Sequence, residues 1–167
     1  MAGGTVGPTV GAVDFRILGP LEVWYEGRPI PVPGAKQRAL LAMLLLDAGH
    51  VVSSDRLMEE LWGSSQPAAG ATALRVRVSQ LRKALRAGGD VVVTRPPGYA
   101  LLVPRDGLDL WRFERGLDEG ERSLATDPQR ALDALSQALN EWRGSPLVDV
   151  AYAVSYTHLT LPTNREV

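Results

Sequence analysis

The sequence predicts an α+β chain. It opens with a small antiparallel sheet, continues through three helices and a β-hairpin, and ends in a partial all-α helical-repeat segment. Three observations carry this. Apolar and polar residues alternate before any helical periodicity begins. Helical segments then follow, the last of them basic, before a hairpin pattern centred on Pro96-Pro97-Gly98. Helical periodicity finally resumes on an acidic background.

Each element has a local cause. Val13-Asp-Phe-Arg-Ile-Leu18 begins with strand alternation, and Gly19-Pro20 signals a turn. Leu21-Glu-Val-Trp-Tyr25 alternates again, and Glu26-Gly27 turns the chain. Arg28-Pro-Ile-Pro-Val32 is at best a short edge strand, because proline has no N–H for a ladder. Residues 36–48 are rich in Leu and Ala and predict a helix, with Gly49 as its C-cap. Val51-Val52 reads as a brief extended link. Ser53 or Ser54 caps a second helix over 55–62, with Asp55 in the first turn where the helix dipole favours an anion. Residues 63–70 form a loop. A basic helix over 72–86 ends before Gly88-Gly89. Val91-Val-Val-Thr94, Arg95-Pro-Pro-Gly98 and Tyr99-Ala-Leu-Leu-Val103 make a hairpin. Helices two and three form a helix-turn-helix and the hairpin forms its wing, giving a winged helix-turn-helix over 13–105.

Residues 106–109 separate this unit from a second one over 109–153. Leu110, Phe113, Leu117 and Leu124 place one acidic amphipathic helix. Asp127-Pro128 supplies an N-cap and N1 proline for another. In that helix Leu132, Leu135, Leu139 and Trp142 recur at spacings of 3, 4 and 3. Gly144 and Pro146 stop it. The pair is a helical hairpin, TPR-like, whose apolar seam needs neighbours to cover it.

Composition sets bounds. The 167 residues are 45% hydrophobic, enough for a core, and cysteine is absent, which excludes disulfides, thiolate metal sites and thiol nucleophiles. The longest apolar run, 39–46, is too short to span a bilayer. Residues 1–12 read as a flexible Gly-rich leader without a signal-peptide n-region; a cytoplasmic location is expected. The formal charge of −1 hides an asymmetry. Residues 1–107 carry 12 basic and 9 acidic side chains, net +3, and residues 108–153 carry 5 and 9, net −4. The positive unit is the candidate for polyanion binding. Residues 155–167 change character: 3 of these 13 are Thr, against 5 in the preceding 154. They resemble translated sequencing-adapter sequence and are expected to be non-native, with the native chain cut near Ala153.

No catalytic constellation is visible, so an enzyme is not expected. His50 and His158 have no metal-ligand partners at usable spacing. Phosphate-binding glycine loops are lacking. The adjacent carboxylates Glu59-Glu60 and Asp118-Glu119 diverge by about 100° on a helix and read as solvated faces. Neither cofactor nor metal is expected.

The basic helix carries the functional signal. Leu74, Val78, Leu81 and Leu85 share one face at spacings of 4, 3 and 4. Thr72, Val76, Ser79 and Lys83 point the opposite way, flanked by Arg75, Arg82 and Arg86 on one side and Gln80 on the other. Between residues 72 and 105 there are seven Lys/Arg and one acid, Asp90. Such a helix suits the DNA major groove, where Arg, Gln, Ser and a small apolar group can touch base edges.

Six motifs then add a resemblance: Phe15-Arg-Ile-Leu-Gly-Pro-Leu21, Lys36-Gln-Arg-Ala-Leu-Leu41, Asp55-Arg-Leu57, Leu61-Trp-Gly63, Val78-Ser-Gln-Leu-Arg82 and Arg95-Pro-Pro-Gly-Tyr99. In this order they resemble the SARP regulators, the Streptomyces antibiotic regulatory protein family, with an OmpR-like winged helix. Phe113-Glu114 and Trp142-Arg-Gly-Ser-Pro-Leu147 resemble the opening of the bacterial transcriptional activation domain that follows it. The resemblance covers roughly residues 13–150. It implies a cytoplasmic, pathway-specific transcriptional activator of secondary metabolism. Such an activator binds direct repeats near promoters as a dimer and contacts RNA polymerase.

The resemblance also implies roles. Thr72, Val76, Ser79, Gln80 and Lys83 would read bases, with Arg75 and Arg82 at the margins, and Arg86 is counted with the DNA-binding residues. Val76 is either a thymine-methyl contact or an incidental exposed apolar residue. Gln80 stands where many relatives have Arg, which puts a guanine contact in doubt and permits adenine. Arg95 would enter or border the minor groove. Arg77 would snorkel or pair with an acid. Lys36 and Arg38 touch phosphate or are plain surface charge. Trp62 lies beside the DNA backbone or in the core, and loop 63–70 is associated with polymerase. Trp24, Trp111 and Trp142 read as packing residues. The rival is a helical-repeat adaptor whose winged helix binds protein. It would require apolar residues on the outer face of the third helix. The DNA reading requires that face to stay uncovered.

Overall fold

A computed structural model describes residues 13–150; the leader and the tail at 155–167 fall outside them. Strands β1 (Val13–Arg16), β2 (Glu22–Tyr25) and β3 (Arg28–Pro29) form an antiparallel sheet in that order. Val13 and Phe15 are buried while Asp14 and Arg16 are half-buried, the alternation of a strand with one wet face. β3 is only two residues long, as its prolines require.

Helix α1 (Ala35–Leu46) lies at the centre, with Ala39, Leu40, Leu41, Ala42, Met43, Leu44 and Leu45 all buried. After its polar first turn, Lys36-Gln-Arg38, the helix is apolar around its whole circumference from Ala39 to Leu46, so it is enclosed rather than amphipathic. Its C-cap is Asp47, not Gly49. Gly49 lies two residues further on, at φ 82°, and donates its N–H to the Leu101 carbonyl at 3.0 Å. It therefore turns the chain toward the second sheet.

That sheet has an unexpected third member. The stretch read as a bare link contributes β4 (Val52–Ser53), giving the order β4-β6-β5 with β5 (Val92–Arg95) and β6 (Gly98–Leu101). Two residues are too few for alternation to signal a strand. Gly98 allows the pairing, because a Cβ there would strike the Val52 carbonyl. The wing is thus anchored by main-chain bonds to the start of α2 (Ser54–Trp62), and Ser54 N–H donates to the Pro97 carbonyl at 3.0 Å. Ser53 caps α2, its Oγ accepting from Arg56 N–H at 3.2 Å. After a 3-10 turn over Gly63–Ser65 comes α3 (Gly70–Ala84), which packs on α1 and α2.

Helices α4 (Asp109–Ser123) and α5 (Pro128–Leu139) pack side by side. Asp127 caps α5 by accepting from Arg130 N–H at 3.1 Å. Small residues make this contact. A Cβ on Gly116 would come within 2.7 Å of the Ala138 Cβ, and one on Gly120 would meet Leu135. Ala131 and Ala138 are buried, whereas Leu132 and Leu139 are 58% and 64% exposed. Leu124, expected on the buried side with Leu110 and Phe113, is 62% exposed, although as the C-cap it keeps helical backbone angles of φ −56° and ψ −40°. Trp142 stacks edge-on against Phe113 with ring centroids 5.5 Å apart.

The link at 106–109 does not hold the helical hairpin apart. The Asp109 carboxylate is fully buried and accepts from the N–H groups of Ile17, Leu18 and Leu110 at 2.8–2.9 Å. Burial pushes its carboxyl up from its ordinary value, opposed by those three donors and by the nearby Arg143 charge. From the other end, Arg143 N–H donates to the Leu18 carbonyl and Leu147 N–H to the carbonyls of Ile17 and Gly19. The Asp149 carboxylate accepts from Leu21 N–H and from Arg38 of α1. The N-terminal segment is therefore stitched into the helical hairpin, and one contiguous apolar cluster runs from Val13 to Val150.

Candidate nucleic-acid interface

Helix α3 exists because Leu74, Val78 and Leu81 bury one stripe against α1 and α2. Leu85 is the C-cap and is buried too, and Arg86 begins a 3-10 turn, Arg86–Gly88, rather than ending the helix. The opposite stripe faces outward: Thr72, Arg75, Val76, Ser79, Gln80, Arg82, Lys83 and Arg86 are all exposed. Val76 is 49% exposed, so its side chain is not part of the core. α4 and α5 make no substantial contact with this helix. Arg95 pairs with Gly98 at the end of β5, and residues 94–97 are exposed. The wing tip and the outer face of α3 are thus both open.

The side chains divide into free and engaged. Arg75, Lys83, Arg86 and Arg95 are in no ion pair and no side-chain hydrogen bond among the described residues. Arg82 is tied to the wing. Its Nε donates to the Val92 carbonyl at 2.9 Å and its Nη2 to Thr94 Oγ1 at 2.8 Å, while its guanidinium lies 5.9 Å from the Tyr99 ring centroid. Gln80 is also engaged: its Oε1 accepts from Gln37 Nε2 at 3.2 Å and from Arg77 Nη1 at 3.3 Å. Arg77 therefore meets an amide, and among the described residues it is in no ion pair with an acid.

The two residues placed on α1 are engaged as well. Lys36 Nζ donates to the Leu61 carbonyl at the end of α2. Arg38 donates to the Leu21 carbonyl at 2.7 Å and pairs with Asp149. Trp62 is half-buried and packs on the core cluster. Residues 64–69 of the following loop are exposed.

Gln37 and Thr94 escaped the sequence reading. Each meets the reading helix from another element, across 43 and 12 residues, and no spacing rule connects such pairs. In electrostatic terms the face is uniform. None of the seven Lys/Arg between residues 72 and 105 pairs with an acid among the described residues.

This is the arrangement of a winged-helix regulator: a buried-seam helix presenting an open cationic face beside a stiffened hairpin. Residues 29–101 match the family described as transcriptional regulatory protein, C terminal, and residues 108–165 match the bacterial transcriptional activator domain. The chain belongs to the SARP family of transcriptional regulators. It is 39% identical over 148 residues to the transcriptional regulatory protein MoaR1 of Mycobacterium tuberculosis, covering 85% of this chain and 48% of MoaR1. It is 34% identical to the regulatory protein DnrI of Streptomyces peucetius, covering 83% of this chain and 54% of DnrI. The solved structure of Mycobacterium tuberculosis EmbR in complex with a low affinity phosphopeptide superposes with a TM-score of 0.80 at 37% identity. That superposition covers 85% of this chain and 39% of the EmbR chain. The chain thus spans about half the length, or less, of the relatives it matches.

Proposed function

We propose that this chain is the DNA-reading part of a sequence-specific transcriptional activator that works in the cytoplasm without catalysing a reaction. The single observation that supports it best is the open, unpaired cationic face of α3 and the wing. Thr72, Arg75, Val76, Ser79, Gln80 and Lys83 lie in the major groove, and Arg95 enters or borders the minor groove. Arg86 is a phosphate contact at the end of the helix. Arg82 keeps the wing against α3 and has one guanidinium nitrogen left for the duplex. Lys36 and Arg38 act inside the fold and only their field reaches phosphate. Trp62 supports the exposed loop that follows, which is offered to RNA polymerase. Two copies occupy direct repeats. The winged helix at 13–105 and the activation-type helical unit at 109–153 remain the two functional parts.

The test is binding to duplexes selected from a random library, measured against salt. Log affinity should fall linearly with log salt, with a slope of about −0.9 per phosphate contact. Selected duplexes should bind far more tightly than unselected ones. A protein that is not retained on heparin even at low salt would refute the reading and favour the adaptor.

A further inference from the structure

The geometry points to Gln37, a buried residue of α1, as the residue that sets which base Gln80 can read. This rests on the DNA-binding reading above. A glutamine in the major groove ordinarily suits adenine, because its carbonyl accepts from N6 while its amide donates to N7. That requires both ends of the amide to be free. In this fold the Gln80 Oε1 is taken twice, by Gln37 Nε2 at 3.2 Å and by Arg77 Nη1 at 3.3 Å. A carbonyl oxygen has two lone pairs, so its accepting capacity is used.

The chemistry of its partners fixes the orientation of the Gln80 amide. Arg77 can only donate, so the atom facing it must be the oxygen. Gln37 must then also donate. Turning the Gln37 amide over would set its oxygen against the Gln80 oxygen, and turning both would set the Gln80 amide group against the Arg77 guanidinium. The arrangement persists even though it leaves the Gln37 Oε1 buried without a partner. Gln37 is only 6% exposed, so it acts from within the protein.

Gln80 therefore presents two N–H donors and no acceptor. It fits a base edge that carries acceptors only. Guanine, with N7 and O6 side by side, fits best, thymine O4 comes next, and the N6 donor of adenine is rejected.

The experiment uses the whole chain and duplexes recovered by selection from a random library. The base pair read by Gln80 is defined as the one whose preference disappears in Gln80→Ala. At that pair the wild-type protein should prefer guanine over adenine by about fivefold or more. In the double variant Gln37→Leu with Arg77→Met, the amide is free to turn, and the preference should fall below about twofold or move to adenine. Because Gln37 is buried, Arg77→Met alone serves as the variant that keeps α1 intact, and it should weaken the preference in the same direction. A wild-type preference for adenine at that pair overturns the inference. So does a Gln80→Ala protein that loses no preference anywhere, or a double variant that melts normally and keeps the guanine preference. If wild-type protein selects no sequence at all, the DNA reading itself fails, which is a separate outcome.

Discussion

The arginines of two regions of this molecule, the α3-and-wing surface and the helical hairpin, lead opposite lives. In the helical hairpin, Arg112, Arg115, Arg122, Arg130 and Arg143 are all in ion pairs. Arg112 is held by Glu141 through two 2.9 Å contacts and by Asp14 through another. Burial pulls its guanidinium down, but the hydrogen bonds to Glu141 and the Asp14 and Glu141 charges more than reverse this and hold it above its ordinary range. On α3 and the wing the same residue type stands without a carboxylate partner. The cause is local supply, since that stretch of seven cations contains a single acid, Asp90. The lesson is that cation count alone says little about polyanion binding. What matters is whether the chain provides its own anions within reach, because a cation already paired has less field to offer a phosphate.

That contrast can be broken at several points, beginning with the costliest. Asp109→Ala would strand three backbone N–H groups, two of them from the N-terminal segment, in a buried site. At about 1–3 kcal/mol for each orphaned donor, the loss should reach about 3 kcal/mol or more, read as a drop in urea midpoint. Asp109→Asn should recover only part of it, because the amide brings a donor where acceptors are needed. A midpoint unchanged in both variants would show that the joint carries no load.

Next in size are the open cations. Arg95→Ala and Arg75→Ala should each weaken binding to a selected duplex by about 1–3 kcal/mol if they touch bases. Their melting temperatures should not move, since neither side chain has a partner to lose. Equal losses on selected and random duplexes would assign them to phosphate instead.

Arg82→Ala should behave differently from either class. It loses two hydrogen bonds to β5, so stability should fall by about 1–2 kcal/mol, and amide exchange in residues 92–101 should speed up without any DNA present. Unchanged exchange in the wing would mean the contacts to Val92 and Thr94 are idle. The smallest effect is expected for Arg130→Ala. Its pair with Glu119 is two-thirds exposed on the arginine side, and such pairs are worth about 0–1 kcal/mol. A larger loss would mean the paired half is organised as a network.

The sequence showed some of this directly. The seam of α3 was legible because Leu74, Val78 and Leu81 repeat at helical spacing, and the outer face followed by geometry. The wing was legible through Pro-Pro-Gly between two apolar runs. The engaged state of Arg82, Gln80, Arg38 and Lys36 was not: apart from the i,i+3 contact of Arg77 with Gln80, each meets its partner across 10 to 111 residues, and no periodicity encodes such a meeting. The helical hairpin misled for another reason. Leucine spacing suggested the seam, yet glycine and alanine let the helices approach closely and left Leu132 and Leu139 outside.

The stitching at residues 17–21 has an evolutionary side. On the N-terminal side of that joint the Asp109 and Asp149 carboxylates meet main-chain N–H groups of Ile17, Leu18 and Leu21. Almost any amino acid offers the same N–H, and only proline lacks it. Descendants can rewrite those three side chains for core volume alone and still keep the angle between the two halves, provided the acids opposite are retained.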